Sequence, residues 1–95
     1  ISASYGTSIK ASAYGRVTFV GYKFGYGRTI VISHGYGYET LYSHCSSTKV
    51  KVGQNVERGD VIGYVGTSGI TTGPHLHYEV HKNGLTQNPV DFLSR

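Results

Sequence analysis

Ninety-five residues make one small domain, with room for a single core and a correspondingly modest stability. Nine Lys and Arg against five Asp and Glu leave a formal charge of +4, but the basic residues are scattered, which speaks against a nucleic-acid-binding surface. One cysteine excludes an internal disulfide framework, and no apolar stretch suits a membrane crossing or a signal peptide.

The chain opens on Ile1 rather than Met, so it reads as a mature product or a piece of a longer chain. Fourteen glycines and nine tyrosines, among many Val, Ile and Thr, point to all-β structure with frequent turns. In chain order, Ser8 to Ala13 reads as a short strand and Arg16 to Gly21 as a second. Gly21 to Gly27, rich in glycine and aromatics, reads as a turn region. Arg28 to His34 carries Ile30-Val31-Ile32, which suits a strand buried on both sides. Gly35-Tyr36-Gly37 is a tight turn, and Tyr38 to His44 alternates with Tyr38, Thr40, Tyr42 and His44 on one face. These two strands should pair as an antiparallel hairpin. Lys49 to Val52 is short and extended, and Val61 to Gly66 is a strand. Thr67 to Pro74 is a loop, Leu76 to Lys82 a strand, and Asn83-Gly84 a two-residue turn signal. Pro89 starts a short closing segment through Val90, Phe92 and Leu93.

The pentad Gly73-Pro74-His75-Leu76-His77 holds the densest chemistry. Side chains two apart on a strand point the same way. His75, His77, Glu79 and His81 should therefore share one face, with Leu76, Tyr78 and Val80 toward the core. Two imidazoles so spaced can divide labour, one holding a metal while the other moves a proton. The same pattern also suits a plain surface strand. His44, in Tyr42-Ser43-His44, stands at a strand end where a lone histidine is usually idle, and His34 stands before a glycine turn. Glu79 could orient an imidazole, although a solvated strand charge is the simpler reading. His81 belongs near the rim. Cys45 reads as a small apolar residue, because strand neighbours face opposite ways and it cannot pair with His44 as a nucleophile.

Several long motifs in order resemble the lysostaphin-type zinc endopeptidases that cut peptidoglycan cross-links. They are His34-Gly35-Tyr36-Gly37-Tyr38-Glu39-Thr40-Leu41-Tyr42-Ser43-His44, Val50-Lys51-Val52-Gly53-Gln54-Asn55-Val56, Gly59-Asp60-Val61-Ile62-Gly63-Tyr64-Val65-Gly66 and Thr71-Thr72-Gly73-Pro74-His75-Leu76-His77-Tyr78-Glu79. Gly6 to Ala11 and Gly15 to Val17 look like that family's opening strand pair. The resemblance implies an all-β fold. It would be a single antiparallel domain of two packed sheets, like a barrel-sandwich hybrid, with a groove on one face into which His44, His75 and His77 converge. It implies zinc as cofactor, His77 as a metal ligand, and His44 and His75 as the catalytic pair that deprotonates water and stabilises the tetrahedral intermediate. The implied partners are peptidoglycan peptides, not nucleic acid or membrane. The implied location is the bacterial cell envelope or exterior, where a dispersed positive charge suits an anionic wall.

Two other readings accompany this one. Relatives that lose their zinc ligands act as wall-binding or regulatory modules. Val52 to Val56 followed by Gly59 to Gly63 also resembles the sandwich of biotinyl and lipoyl carriers. The chain has no Met, however, and Lys82 lacks the expected neighbours, so that likeness is architectural. The family's other two ligands, a His and an Asp, lie upstream of its first strand, and no such pair occurs here. Residues 1–95 would then be a peptidase catalytic domain without its N-terminal ligand segment. Alone, it is expected to bind zinc weakly and hydrolyse little. Calorimetry checks this, and one tight site per chain would refute it.

Overall fold

The computed structural model describes residues 5–66, 77–83 and 85–87. The described elements are all strands: β1 (Ser8–Lys10), β2 (Gly15–Lys23), β3 (Gly27–Gly35), β4 (Tyr38–Ser43), β5 (Cys45–Thr48), β6 (Asn55–Val56), β7 (Val61–Val65), β8 (His77–Lys82) and β9 (Leu85–Gln87). Two antiparallel sheets result, one of three strands in the order β1-β7-β5 and one of six in the order β6-β2-β3-β4-β8-β9. The expected all-β, two-sheet architecture is the one observed.

The larger sheet is a run of antiparallel pairs. Ile30 opposes Tyr42 and Ile32 opposes Thr40 across the β3–β4 hairpin. Its turn is Gly35-Tyr36-Gly37, and all three residues have positive φ. At Gly37 a side chain would run into Asn83, whose N–H donates to the Gly37 carbonyl at 2.7 Å. Glycine is therefore required both for its backbone angle and for the close approach.

Alternation sends Val17, Ile30, Ile32, Tyr42, Tyr78 and Val80 from the six-stranded sheet against Ile9, Cys45, Ile62 and Val65 from the other. Each such aliphatic side chain contributes about 1.5 to 3 kcal/mol on full burial. Tyrosine fits this core because its hydroxyls are satisfied. The Ser12 N–H and the Thr40 hydroxyl both donate to the Tyr42 hydroxyl, at 3.1 and 2.9 Å. The Tyr78 hydroxyl donates to Ser12 Oγ at 3.1 Å. The two rings pack tilted with centroids 5.2 Å apart, a favourable aromatic geometry.

The structure differs from the sequence expectations in length and number of strands. β1 stops at Lys10. β2 and β3 extend through most of the expected Gly21–Gly27 turn region, leaving a tight connection around Phe24 to Tyr26. Lys49–Val52 is not a strand, whereas β5, β6 and β9 are. These short segments lack alternation of their own and owe their state to pairing with β7, β2 and β8. The expected segments Thr67–Pro74 and Pro89–Leu93 lie outside the described residues.

Cys45 is fully buried, and burial pushes its thiol up from 9.0 to about 11. The folded chain thus keeps a neutral thiol where the unfolded chain has already ionised. That stabilisation is complete below pH 9 and is withdrawn as pH climbs toward 11. Urea unfolding should show about 2 to 3 kcal/mol lost over this window, and a Cys45→Ala variant should not show that component.

Candidate metal centre and groove

The face of the six-stranded sheet turned away from the core carries the candidate site. Cross-strand pairing fixes its rows. Phe19, Val31, Leu41 and Glu79 stand in one row. On one side of it, Ser33, Glu39 and His81 form the next. On the other side Ser43 opposes His77, which opens β8. The pairing brings the His77 backbone beside the end of β4, where His44 follows directly.

His44 does not continue the strand. Its φ is +61°, a left-handed conformation that costs a non-glycine residue about 1–2 kcal/mol. Two backbone hydrogen bonds hold it there: His44 N–H donates to the Tyr26 carbonyl at 2.9 Å, and Gly66 N–H donates to the His44 carbonyl at 2.9 Å. The corner breaks the alternation, so His44 does not simply extend the Tyr38–Thr40–Tyr42 face. The residue is buried at 5% exposure. Such strain persists where surrounding structure enforces it, often at functional sites.

His75 lies outside the described residues, as does the His77 side chain, so the structure locates His77 through its backbone. Among the described residues no three His, Cys, Asp or Glu side chains form a metal-binding group. His34 is committed elsewhere. Its Nδ1 is 2.8 Å from the Tyr14 carbonyl, which requires a proton on Nδ1. Its Nε2 is 2.7 Å from Thr40 Oγ1.

Glu79 corrects the solvated-charge reading. Its side chain is 16% exposed, and Oε1 lies 2.7 Å from His81 Nε2. The Tyr26 hydroxyl donates to Oε2 at 3.3 Å. The negative charge of Glu79, with some burial, raises the Tyr26 pKa above its ordinary value. Tyr26 therefore binds His44 through its carbonyl and Glu79 through its hydroxyl, joining both sides of the candidate site. Sequence reasoning missed it because it sat in an apparent glycine turn.

The profile described as Peptidase family M23 matches residues 1–89. This chain belongs to peptidase family M23. It is 52% identical over 89 residues to a DD-carboxypeptidase/endopeptidase, Mpg, of Neisseria meningitidis, covering 94% of this chain and 20% of that protein. It is 41% identical over 95 residues to the murein hydrolase activator EnvC of Escherichia coli, covering all of this chain and 23% of that protein. Among solved structures, the catalytic domain of the antimicrobial peptidase lysostaphin from Staphylococcus simulans superposes with a TM-score of 0.91. It is 33% identical, over 98% of this chain and 74% of that one. The chain thus spans about a fifth of the length of the curated relatives it matches.

Replacing Glu79 with Gln removes the charge that opposes Tyr26 ionisation and leaves a hydrogen-bond acceptor in place. The Tyr26 pKa should fall toward its ordinary value, read by NMR titration of ring-labelled tyrosine. An unchanged titration would show that Glu79 does not hold Tyr26.

Proposed function

We propose that this chain is the catalytic core of a zinc-dependent endopeptidase that hydrolyses peptide bonds in peptidoglycan cross-links or stem peptides. His77 is a metal ligand, and His44 and His75 form the acid–base pair. The observation that carries this reading is the β4–β8 register, with Ser43 opposite His77, together with the enforced backbone corner at His44. Family membership and the peptidoglycan-linked names of its relatives support the substrate class. They also support work in the bacterial cell envelope or outside the cell.

An imidazole at His77 has the right donor chemistry for zinc, which takes three protein ligands in catalytic sites. His77 would share the ion with donors outside the described residues. Bound zinc supplies Lewis-acid polarisation of the scissile carbonyl and lowers the pKa of water. His44, held by Tyr26 and Gly66, can accept a proton from the attacking water without reorganising. His75 can donate to the developing oxyanion or to the leaving amine. Phe19, Val31 and Leu41 give the groove an apolar floor that suits a slim peptide.

A regulatory reading has one observation in its favour, the 41% identity to a protein named as an activator of murein hydrolases. Retention of His44, His75 and His77 together argues against it, because a non-catalytic module has no physical need for all three.

The test uses the full-length protein. His77→Ala should lose its zinc, measured as metal per chain. His44→Asn should keep zinc and fold, since Asn tolerates the left-handed backbone, while cleavage of purified peptidoglycan falls about 100-fold or more. Unchanged zinc in His77→Ala, or unchanged cleavage in His44→Asn, would overturn the assignment.

A further inference from the structure

A hollow of about 460 Å³ opens on the other side of the six-stranded sheet, beside the β3–β4 turn. Tyr38, Tyr78 and Val80 give it apolar walls, Ser12 and His34 give it polar edges, and Tyr36 stands at its mouth. Strand alternation sends Tyr78 and Val80 to this side and Glu79 and His81 to the groove. The sheet therefore separates the hollow from the candidate metal centre.

The lining is rich in hydroxyls and carries no formal charge. Among the described residues no Asp, Glu, Lys or Arg lines it. Both His34 nitrogens are engaged, one with the Tyr14 carbonyl and one with Thr40 Oγ1. The Tyr78 hydroxyl donates to Ser12 Oγ at 3.1 Å. Among the described residues its oxygen accepts no hydrogen bond, so its lone pairs are open to a ligand donor. Aromatic surface is presented here rather than packed. Tyr36 is 97% exposed with φ at +53°, a backbone position that glycine and asparagine fill far more readily. Tyr14, also exposed, is fixed beside the hollow by the bond from its carbonyl to His34. The Lys82 ammonium lies 4.9 Å from the centre of the Tyr38 ring and takes one face of it.

These features select a class of ligand. β3, β4 and β8 are each paired on both sides, so no open strand edge awaits a peptide here, and recognition falls to side chains. A lining without charge leaves a phosphate, carboxylate or ammonium group without compensation for its lost hydration. Hydroxyls beside presented tyrosines suit a ring with polar edges and an apolar face. We propose that this hollow binds a neutral pyranose, one sugar unit of a glycan. Its C–H face lies against Tyr36, and its hydroxyl or acetamido groups meet Ser12 and Tyr78. Tyrosine offers such a ligand a large, stiff contact surface at small entropic cost. Small-molecule sites begin at about 300 Å³, so the hollow has room for a sugar ring. The proposal does not depend on the peptidase reading, because it concerns a different face of the sheet and different residues.

Calorimetric titration of the full-length protein with N-acetylchitotriose, an uncharged trisaccharide, tests this. Binding should be saturable and insensitive to added salt, since no charged pair takes part. Tyr36→Asn removes the ring and keeps a residue that tolerates the left-handed backbone; affinity should fall about tenfold. Tyr36→Phe should keep the parental affinity. Ala13→Leu fills the hollow from an exposed position in its lining and should abolish binding. All three variants should unfold at the parental midpoint, since neither position belongs to the core. Absence of saturable binding in the parent, or equal affinity in the parent, Tyr36→Asn and Ala13→Leu, would overturn the site. Competition by an acetylated and amidated trialanine as strong as that by the sugar would overturn its assignment to a glycan. The readout is binding alone, so a protein that cleaves nothing leaves this result standing and removes only the peptidase reading.

Discussion

The antiparallel register of β4 with β8 is the constraint on which the candidate site depends. Six cross-strand pairs run from Tyr38↔Lys82 to Ser43↔His77. They bring together segments remote in sequence and set which side chains face the groove. Strand side chains alternate with period two, so a slip of one residue would turn Glu79 and His81 inward and Tyr78 and Val80 outward. Burial of Tyr78 and Val80 in the core opposes that slip. The hydrophobic contacts that stabilise the fold are therefore the same ones that index the polar face.

Tyr26 supplies the second constraint. Its backbone carbonyl holds His44 in a left-handed corner, and its hydroxyl reaches Glu79, two residues beyond His77. A single residue at the end of the β2–β3 connection, through its backbone on one side and its hydroxyl on the other, thus ties the end of β4 to β8 where both reach the candidate centre. The opposite face is tied by a different device, the chain of hydroxyls through Thr40, Tyr42, Ser12 and Tyr78. His34 joins that network, which explains how a histidine beside a glycine turn can be structural.

The long strands were legible in the sequence because their alternation was their own. Ile30-Val31-Ile32 announced a buried strand, and Tyr78 and Val80 lie inside as the pattern required. β5 was not legible: Cys45–Thr48 is polar except at its start, and it is a strand because β7 offers an edge. The His44 corner left no local trace either, since nothing in Tyr42-Ser43-His44 predicts a positive φ that Tyr26 and Gly66 impose from a distance. Glu79 was on the right face by simple periodicity. Its partners Tyr26 and His81 could be recognised only once β4 and β8 lay side by side with the hairpin end above them.

Cys45 carries a consequence beyond the core it fills. It is the one thiol in the 95 residues, fully enclosed and poorly ionised at neutral pH. An enclosed, protonated sulfur is a slow nucleophile and a slow partner in exchange. With a single thiol, these 95 residues cannot close a disulfide among themselves, so their packing does not depend on the redox poise around them.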